Sequence, residues 1–192
     1  MSRTETLNNI VNIRSGILFR GRLRNDPKGQ VAVIQLRDVN NDGNILSKNL
    51  IKVNERNFRG DEFLKPNDVI FKAKSTYRTA AVFVEKDIKT VASAHYFILR
   101  NTSKEILPEY LAWFLNQESA QHYFDTHARG TRVPIINKVS LGNLQIAIPD
   151  LSTQGKIVVV SRLSVRERDL LEELKTKREL LIKASLLEAV NR

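Results

Sequence analysis

Leu144-Gln145-Ile146-Ala147-Ile148-Pro149-Asp150-Leu151-Ser152-Thr153-Gln154 is the stretch that decides how the chain is organised. Leu144 to Ile148 reads as a short strand, closed by Pro149, which has no N–H to offer a ladder. From Ser152 onward, 41 residues contain no proline and a single glycine, Gly155, among many good helix formers. The reading is one helix from about residue 153 to 190, with Ser152 or Thr153 as its N-cap. Ile157, Val160, Leu163, Leu170, Leu174, Leu181, Ala184 and Leu187 recur along it at three-to-four-residue steps. At ~1.5 Å per residue such a helix reaches on the order of 57 Å, more than a domain of this size covers with its own body. The apolar stripe therefore calls for a partner. Val160, Leu163, Leu170, Leu174, Leu181 and Ala184 fit heptad a and d positions, although Glu167, Lys177 and Glu188 share the seam. A short coiled coil between two such helices is expected, with Val160, Leu163, Leu170, Leu174 and Leu181 in the dimer interface.

Upstream, the pattern is different. Short runs rich in β-branched and aromatic residues, Val31 to Leu36, Asp68 to Phe71, Ala80 to Val84 and Val91 to Leu99, read as strands. Turn signals separate them at Asn25 to Gly29, Asn40 to Asn44 and Lys65-Pro66-Asn67-Asp68. Pro108 opens a helix that runs to Phe124 without a breaker, with Leu111, Phe114 and Leu115 on one face as core residues. The expected fold is α+β: a mixed-sheet domain over residues 1–151, followed by a dimerisation and spacer helix over residues 152–192.

The 192 residues carry 31 Lys and Arg against 21 Asp and Glu, a formal +10, with 42% hydrophobic residues. That hydrophobic share supports a sizeable core and argues against general disorder. Residues 152–192 hold nine basic and six acidic side chains, while residues 1–151 hold 22 and 15, so the positive excess sits mainly on the domain. A pI near 10 favours a polyanionic partner, because Lys and Arg that neutralise phosphates release counterions. There are no cysteines, which excludes disulfides, thiolate nucleophiles and cysteine-bound zinc and suits a reducing cytoplasm. No apolar run approaches the ~18 residues of a membrane span, and the first residues lack a secretory signal. A cytoplasmic protein with no membrane partner is expected.

The common catalytic signatures are missing. There is no GxxxxGK[ST] loop, no HExxH and no GxSxG turn. His95, His122 and His127 are the only histidines, and the last two are five apart, which is not the spacing of a helical zinc pair. Asp68 with Asp87-Ile88-Lys89 imitates the carboxylates and lysine that hold magnesium in some nucleases, but a turn and a solvated loop explain these residues as well. No glycine-rich loop or Asn-Pro-Pro-aromatic element suggests a methyl donor. No cofactor, metal site or catalytic residue is expected.

Basic clusters interrupt the apolar pattern at Arg20-Gly21-Arg22-Leu23-Arg24, Lys72-Ala73-Lys74-Ser75-Thr76-Tyr77-Arg78, Arg129-Gly130-Thr131-Arg132 and Asn137-Lys138. Arg20, Arg22 and Arg24 would share one face of a strand. Ser75, Thr76, Tyr77 and Arg78 mix phosphate-binding donors with groups able to reach base edges. The candidate DNA-binding residues are thus Arg20, Arg22, Arg24, Lys72, Lys74, Ser75, Thr76, Tyr77, Arg78, Arg129, Thr131, Arg132 and Lys138.

The ordered set Gly21-Arg22, Val31 to Asp38, Leu64 to Phe71, Leu107 to Asn116 and Leu144 to Pro149, ending in Ile-Pro-x-Leu-x-x-Gln (Ile148 to Gln154) before a long helix, resembles the DNA specificity subunits of Type I restriction-modification systems. The resemblance covers nearly the whole chain. It implies a target recognition domain that reads one half of a split site in double-stranded DNA, followed by a spacer helix. It also implies a subunit without catalytic activity that brings methyltransferase subunits, and through them the restriction subunit, onto DNA. Family members generally carry two recognition domains and two helices paired antiparallel, whereas this sequence has one of each. A homodimer with antiparallel helices restores the pattern and would turn one half-site into an inverted repeat. The competing expectations are a helix-mediated adaptor whose basic surface meets an acidic protein, and a magnesium-dependent nuclease using Asp68.

Overall fold

The computed structural model describes residues 3–54, 58–85, 87–128, 130 and 134–190. The chain divides into two compact units, Met1–Gly155 and Lys156–Arg192. In chain order the elements are β1 (Arg3–Thr6), α1 (Leu7–Ile10), β2 (Val11–Ser15), β3 (Val31–Ile34), β4 (Ile51–Val53), β5 (Val69–Lys72), β6 (Ala80–Val82), β7 (Lys89–Ala92) and β8 (Tyr96–Asn101), then α2 (Pro108–Leu115), α3 (Glu118–His127), α4 (Lys138–Gly142), β9 (Gln145–Ile148) and α5 (Leu151–Val190). The architecture is α+β, with mixed sheets and a long C-terminal helix.

Val31-Ala32-Val33-Ile34 is apolar at every position because β3 is buried on both faces. It is the middle strand of β4-β3-β7, antiparallel to β4 and parallel to β7. Val31, Val33 and Val91 face a layer made by Ile17, Phe19, Leu23, Val53, Phe58 and Phe63. On the other face, Ile34 and Ala92 pack with Ile70, Ala81 and Ile98 of the antiparallel sheet β2-β8-β5-β6. The main core thus lies between the two sheets. The far side of the second sheet is covered by helices, with the Phe71 and Phe124 rings 4.8 Å apart. β1 and β9 form a separate antiparallel pair, Arg3 opposite Ile148. The Tyr110 hydroxyl of α2 donates to the Ala147 carbonyl across to it.

Several elements differ from the sequence reading. Val91 to Leu99 is not one strand: Ser93 to His95 turn the chain, with Tyr96 N–H bonding Ser93 O at 3.0 Å, so that β7 and β8 join different sheets. The helix expected from Pro108 to Phe124 breaks at Asn116-Gln117. There the Asn116 carboxamide pairs with both backbone groups of Ala80, accepting at 2.8 Å and donating at 3.0 Å. Gln117 is extended (ψ 153°), and Gln121 donates to the freed Leu115 carbonyl. The N-cap of α5 is Asp150, not Ser152 or Thr153: its carboxylate accepts from the Thr153 N–H and hydroxyl. Those bonds hold the Asp150 carboxyl below its ordinary pKa. Residues 20–24 form no strand.

The Lys65-Pro66-Asn67-Asp68 turn has the expected form, with Asn67 at φ 73° and Asp68 N–H bonding Lys65 O. It delivers Asp68, which is buried, to Arg100, whose Nε and Nη2 each lie 2.7 Å from a carboxylate oxygen. That pairing raises the Arg100 pKa above its ordinary value. Asp68 is an ion-pair anchor in the core, and among the described residues no group of three or more His, Asp or Glu could hold a metal ion.

Candidate nucleic-acid interface

Gly16 starts the assembly of the interface. A Cβ there would lie 2.2 Å from the Ser93 carbonyl oxygen, so only glycine lets the chain leaving β2 run against the β7–β8 turn. Ile17 N–H then bonds Ala92 O, and Ala94 N–H returns to Ile17 O, at 2.8 Å each. Beyond this anchor the chain keeps an alternating pattern without a ladder: Phe19 and Leu23 pack inward while Arg20, Arg22 and Arg24 are exposed. The three guanidiniums reach solvent on an irregular segment, not on the strand face that their alternation suggests. None of them belongs to an ion pair found among the described residues.

The β7–β8 turn also holds the second basic segment. Ala73 and Lys74 N–H groups both approach the His95 carbonyl, at 2.8 and 3.4 Å. Lys74 in turn bridges to Ile135, and Ile136 N–H bonds Ala73 O. This seats the start of α4, where Asn137 caps the helix by accepting from Ser140 N–H, and Lys138 is exposed in its first turn. Segments far apart in sequence, at Ile17, Lys74, His95 and Ile136, are thereby tied to one another by backbone bonds.

Between the first of these segments and the β7–β8 turn lies a cleft of about 480 Å³. Apolar side chains including Leu18, Leu23, Leu36 and Ile51 line it, with Arg22, Gln35, Arg37, Ser93 and His95 as its polar groups. Arg37 stands on the short helical turn Leu36–Asp38 that ends β3, its side chain 65% exposed and 3.7 Å from Asp38. Asp38 itself is buried, with its carboxylate accepting from Gln35 N–H. Ser93 Oγ and His95 Nδ1 are 3.5 Å apart on the opposite wall. Sequence reasoning did not single out Gln35, Arg37 or Ser93, and placed His95 in no candidate site.

Two candidate residues are buried. Lys72 is 5% exposed and its ammonium donates to the Val39 carbonyl at 2.6 Å, with burial lowering its pKa below that of ordinary lysine. Arg78 is buried as well, its Nη1 2.6 Å from Asp125. Both charges are committed to the fold, and neither side chain presents itself to a large polyanion. Ser75 is half-buried, while Thr76 and Tyr77 are exposed on the tip between them. Arg129, Thr131 and Arg132 lie outside the described residues. In the second unit, Val160, Leu163, Leu170, Leu174 and Leu181 are all exposed, between 46% and 67%. No helix among the described residues is long and apolar enough to cross a membrane.

The chain thus carries a mixed-sheet domain, whose largely apolar cleft holds Arg22 and Arg37, and a long helix with exposed leucines. A family model described as the Type I restriction modification DNA specificity domain matches residues 3–180, and the chain belongs to this family. No curated protein matches it. Among solved structures, a chain from work on complex assembly and conformational transition of the type I R-M system aligns over 95% of this chain and 43% of its own, with TM-score 0.71 and 17% identity. The HsdS subunit from Thermoanaerobacter tengcongensis aligns over 90% and 39%, at TM-score 0.63 and 15% identity. The Type I restriction-modification S subunit from M. genitalium aligns over 93% and 43%, at TM-score 0.58 and 16% identity. These likenesses show a shared fold, and the chain spans about two fifths of the length of each of these structures.

Proposed function

We propose that the chain is a non-catalytic DNA specificity subunit that recognises one half of a bipartite site per copy. The observation that supports this is that the chain leading to Arg22, the segment holding Lys74 and, through that segment, the chain leading to Lys138 are tied by backbone bonds to the β7–β8 turn of a basic domain in this family, with Arg22 lining the cleft. Arg20, Arg22, Arg24, Lys74, Ser75, Thr76, Tyr77 and Lys138 form the contact set, joined by Arg129, Thr131 and Arg132. Lys72 and Arg78 are left out because their charges are spent internally. Two copies pair antiparallel through α5, so one half-site becomes an inverted pair. Methyltransferase subunits, and through them the restriction subunit, dock on this assembly in the cytoplasm. The exposed leucines of α5 support the pairing, because a 40-residue helix with this stripe buries little of its apolar surface alone.

The test is the affinity for duplex DNA as a function of salt. The logarithm of the affinity falls linearly with the logarithm of salt concentration, and reversing Arg22 and Arg24 to Glu lowers affinity on every duplex and flattens the slope by about one per lost phosphate contact. Unchanged affinity in the reversed variant would remove this face from the interface. Binding that DNA does not compete away from an acidic protein would point to the adaptor expectation instead.

A further inference from the structure

We propose that the cleft bearing Arg37, Gln35 and His95 is where the domain discriminates bases, and that it takes the acceptor-rich major-groove edge of a purine; this rests on the DNA-binding reading above. Three features separate it from the surrounding basic surface. Beside Arg22, taken above as a phosphate contact, its polar groups are rich in donors: the Arg37 guanidinium, the Gln35 carboxamide and the Ser93 hydroxyl. Asp38, the acidic neighbour of Arg37, is buried with one carboxylate oxygen on the Gln35 backbone and the other 3.7 Å from Arg37 Nε, a long ion pair that leaves the Arg37 side chain 65% exposed. Guanine presents two acceptors, N7 and O6, on its major-groove edge, and adenine N7 offers one beside a donor. A donor-rich wall matches those edges.

The second feature is an unfilled valence. Gln35 Nε2 is buried and has no hydrogen-bond partner, whereas the backbone of the same residue is fully used, its N–H by Asp38 and its carbonyl by the Tyr96 hydroxyl. A buried amide without a partner is costly, and turning it toward the cleft would let a purine acceptor satisfy it. The backbone bonds hold its Cα in place and its side-chain oxygen caps the Leu36–Asp38 turn, which leaves Nε2 as the unused group. The third feature is Leu18, 78% exposed at the cleft beside Arg22. A large apolar side chain among cations gains nothing from water, but a base edge or a thymine methyl would cover it.

Phosphate-contacting residues set affinity and salt dependence without carrying sequence information, whereas base-reading residues do the reverse. Arg37→Ala and Gln35→Leu separate the two. The Arg37 side chain is 65% exposed, so thermal unfolding of Arg37→Ala should match the wild type. Gln35→Leu keeps the backbone bonds but loses the side-chain cap of the Leu36–Asp38 turn, so its unfolding midpoint is measured beside its motif. Full-length wild type and each variant are used to select duplexes from a randomised pool at moderate salt. We expect the wild-type motif to contain a purine that Arg37→Ala no longer distinguishes, with discrimination at that position falling between about five- and a hundred-fold and the salt slope unchanged. A variant that keeps the motif while its salt slope flattens makes Arg37 a phosphate contact and overturns the proposal. Variants indistinguishable from wild type in motif and affinity overturn it too. A wild type that binds without any motif removes the DNA-specificity reading itself, an outcome distinct from the other two.

Discussion

Gln154 offers the sharpest test of how the globular unit is held. Its side chain is fully buried, accepts from the Leu107 N–H at 2.9 Å, and donates to the Glu105 and Pro149 carbonyls at 2.7 and 2.8 Å. Replacing it by alanine strands one N–H and two carbonyls, each costing about 1–3 kcal/mol if left dry. Leu107 and Pro149 are half-buried and Glu105 is exposed, so water recovers part of that sum, and a net loss of about 3 kcal/mol is expected for Gln154→Ala. In a unit of this size that lowers Tm by roughly 6–12 °C. Gln154→Glu adds a pH signature. It keeps an acceptor for Leu107, but when ionised it turns a second bare oxygen toward two carbonyls, so its folded pKa rises above the ordinary ~4.3. A raised folded pKa means that stability is fully present below the unfolded pKa and is lost as pH rises through the folded one. The gap between this variant and wild type should therefore be small near pH ~4 and widen with rising pH, by up to about 1.4 kcal/mol per unit, until the folded pKa is passed. Thermal and urea unfolding across pH supply the measurement. A Gln154→Ala loss below about 1 kcal/mol, or a Gln154→Glu gap that ignores pH, would refute this reasoning.

Asp68→Ala leaves the Arg100 guanidinium unpaired. With a third of that side chain exposed, the loss should be about 2–3 kcal/mol by urea unfolding, below the ~3–5 of a fully buried pair. Magnesium-dependent DNA cutting that disappears in this variant would instead restore the nuclease expectation. Leu174→Glu puts a charge into the proposed helix seam, and sedimentation velocity should show only monomer at concentrations where the wild type is dimeric, with the unfolding midpoint of the globular unit kept. Continued dimerisation would place the interface elsewhere.

Much of the fold was legible because local chemistry agreed with it. Lys65-Pro66-Asn67-Asp68 demanded a turn, Pro149 ended a strand, and the proline-free tail had the composition of one helix. The misreadings have tertiary causes. Asn116 carries no helix-breaking signal as strong as glycine or proline, and the break is decided by its two bonds to Ala80 on a neighbouring strand. Ser93 to His95 turn inside a continuous β-prone run because β7 must pair beside β3 while β8 returns beside β5. Lys72 and Arg78 looked like loop cations, and their partners, Val39 and Asp125, lie 33 and 47 residues away in sequence. For the candidate interface, alternation suggested a strand face for Arg20, Arg22 and Arg24, whereas the three are exposed on an irregular segment because that stretch pairs with no strand. Arg37 was missed because it stands alone in sequence, and its place at a cleft exists only once β3 and the β7–β8 turn come together.

The central claim is sequence-specific recognition by paired copies. It is tested most directly by sequencing the duplexes that the full-length protein captures from a randomised pool, alone and with any co-purifying methyltransferase. The account predicts enrichment of two short inverted motifs at a constant separation. Binding that enriches no motif in either condition would contradict it.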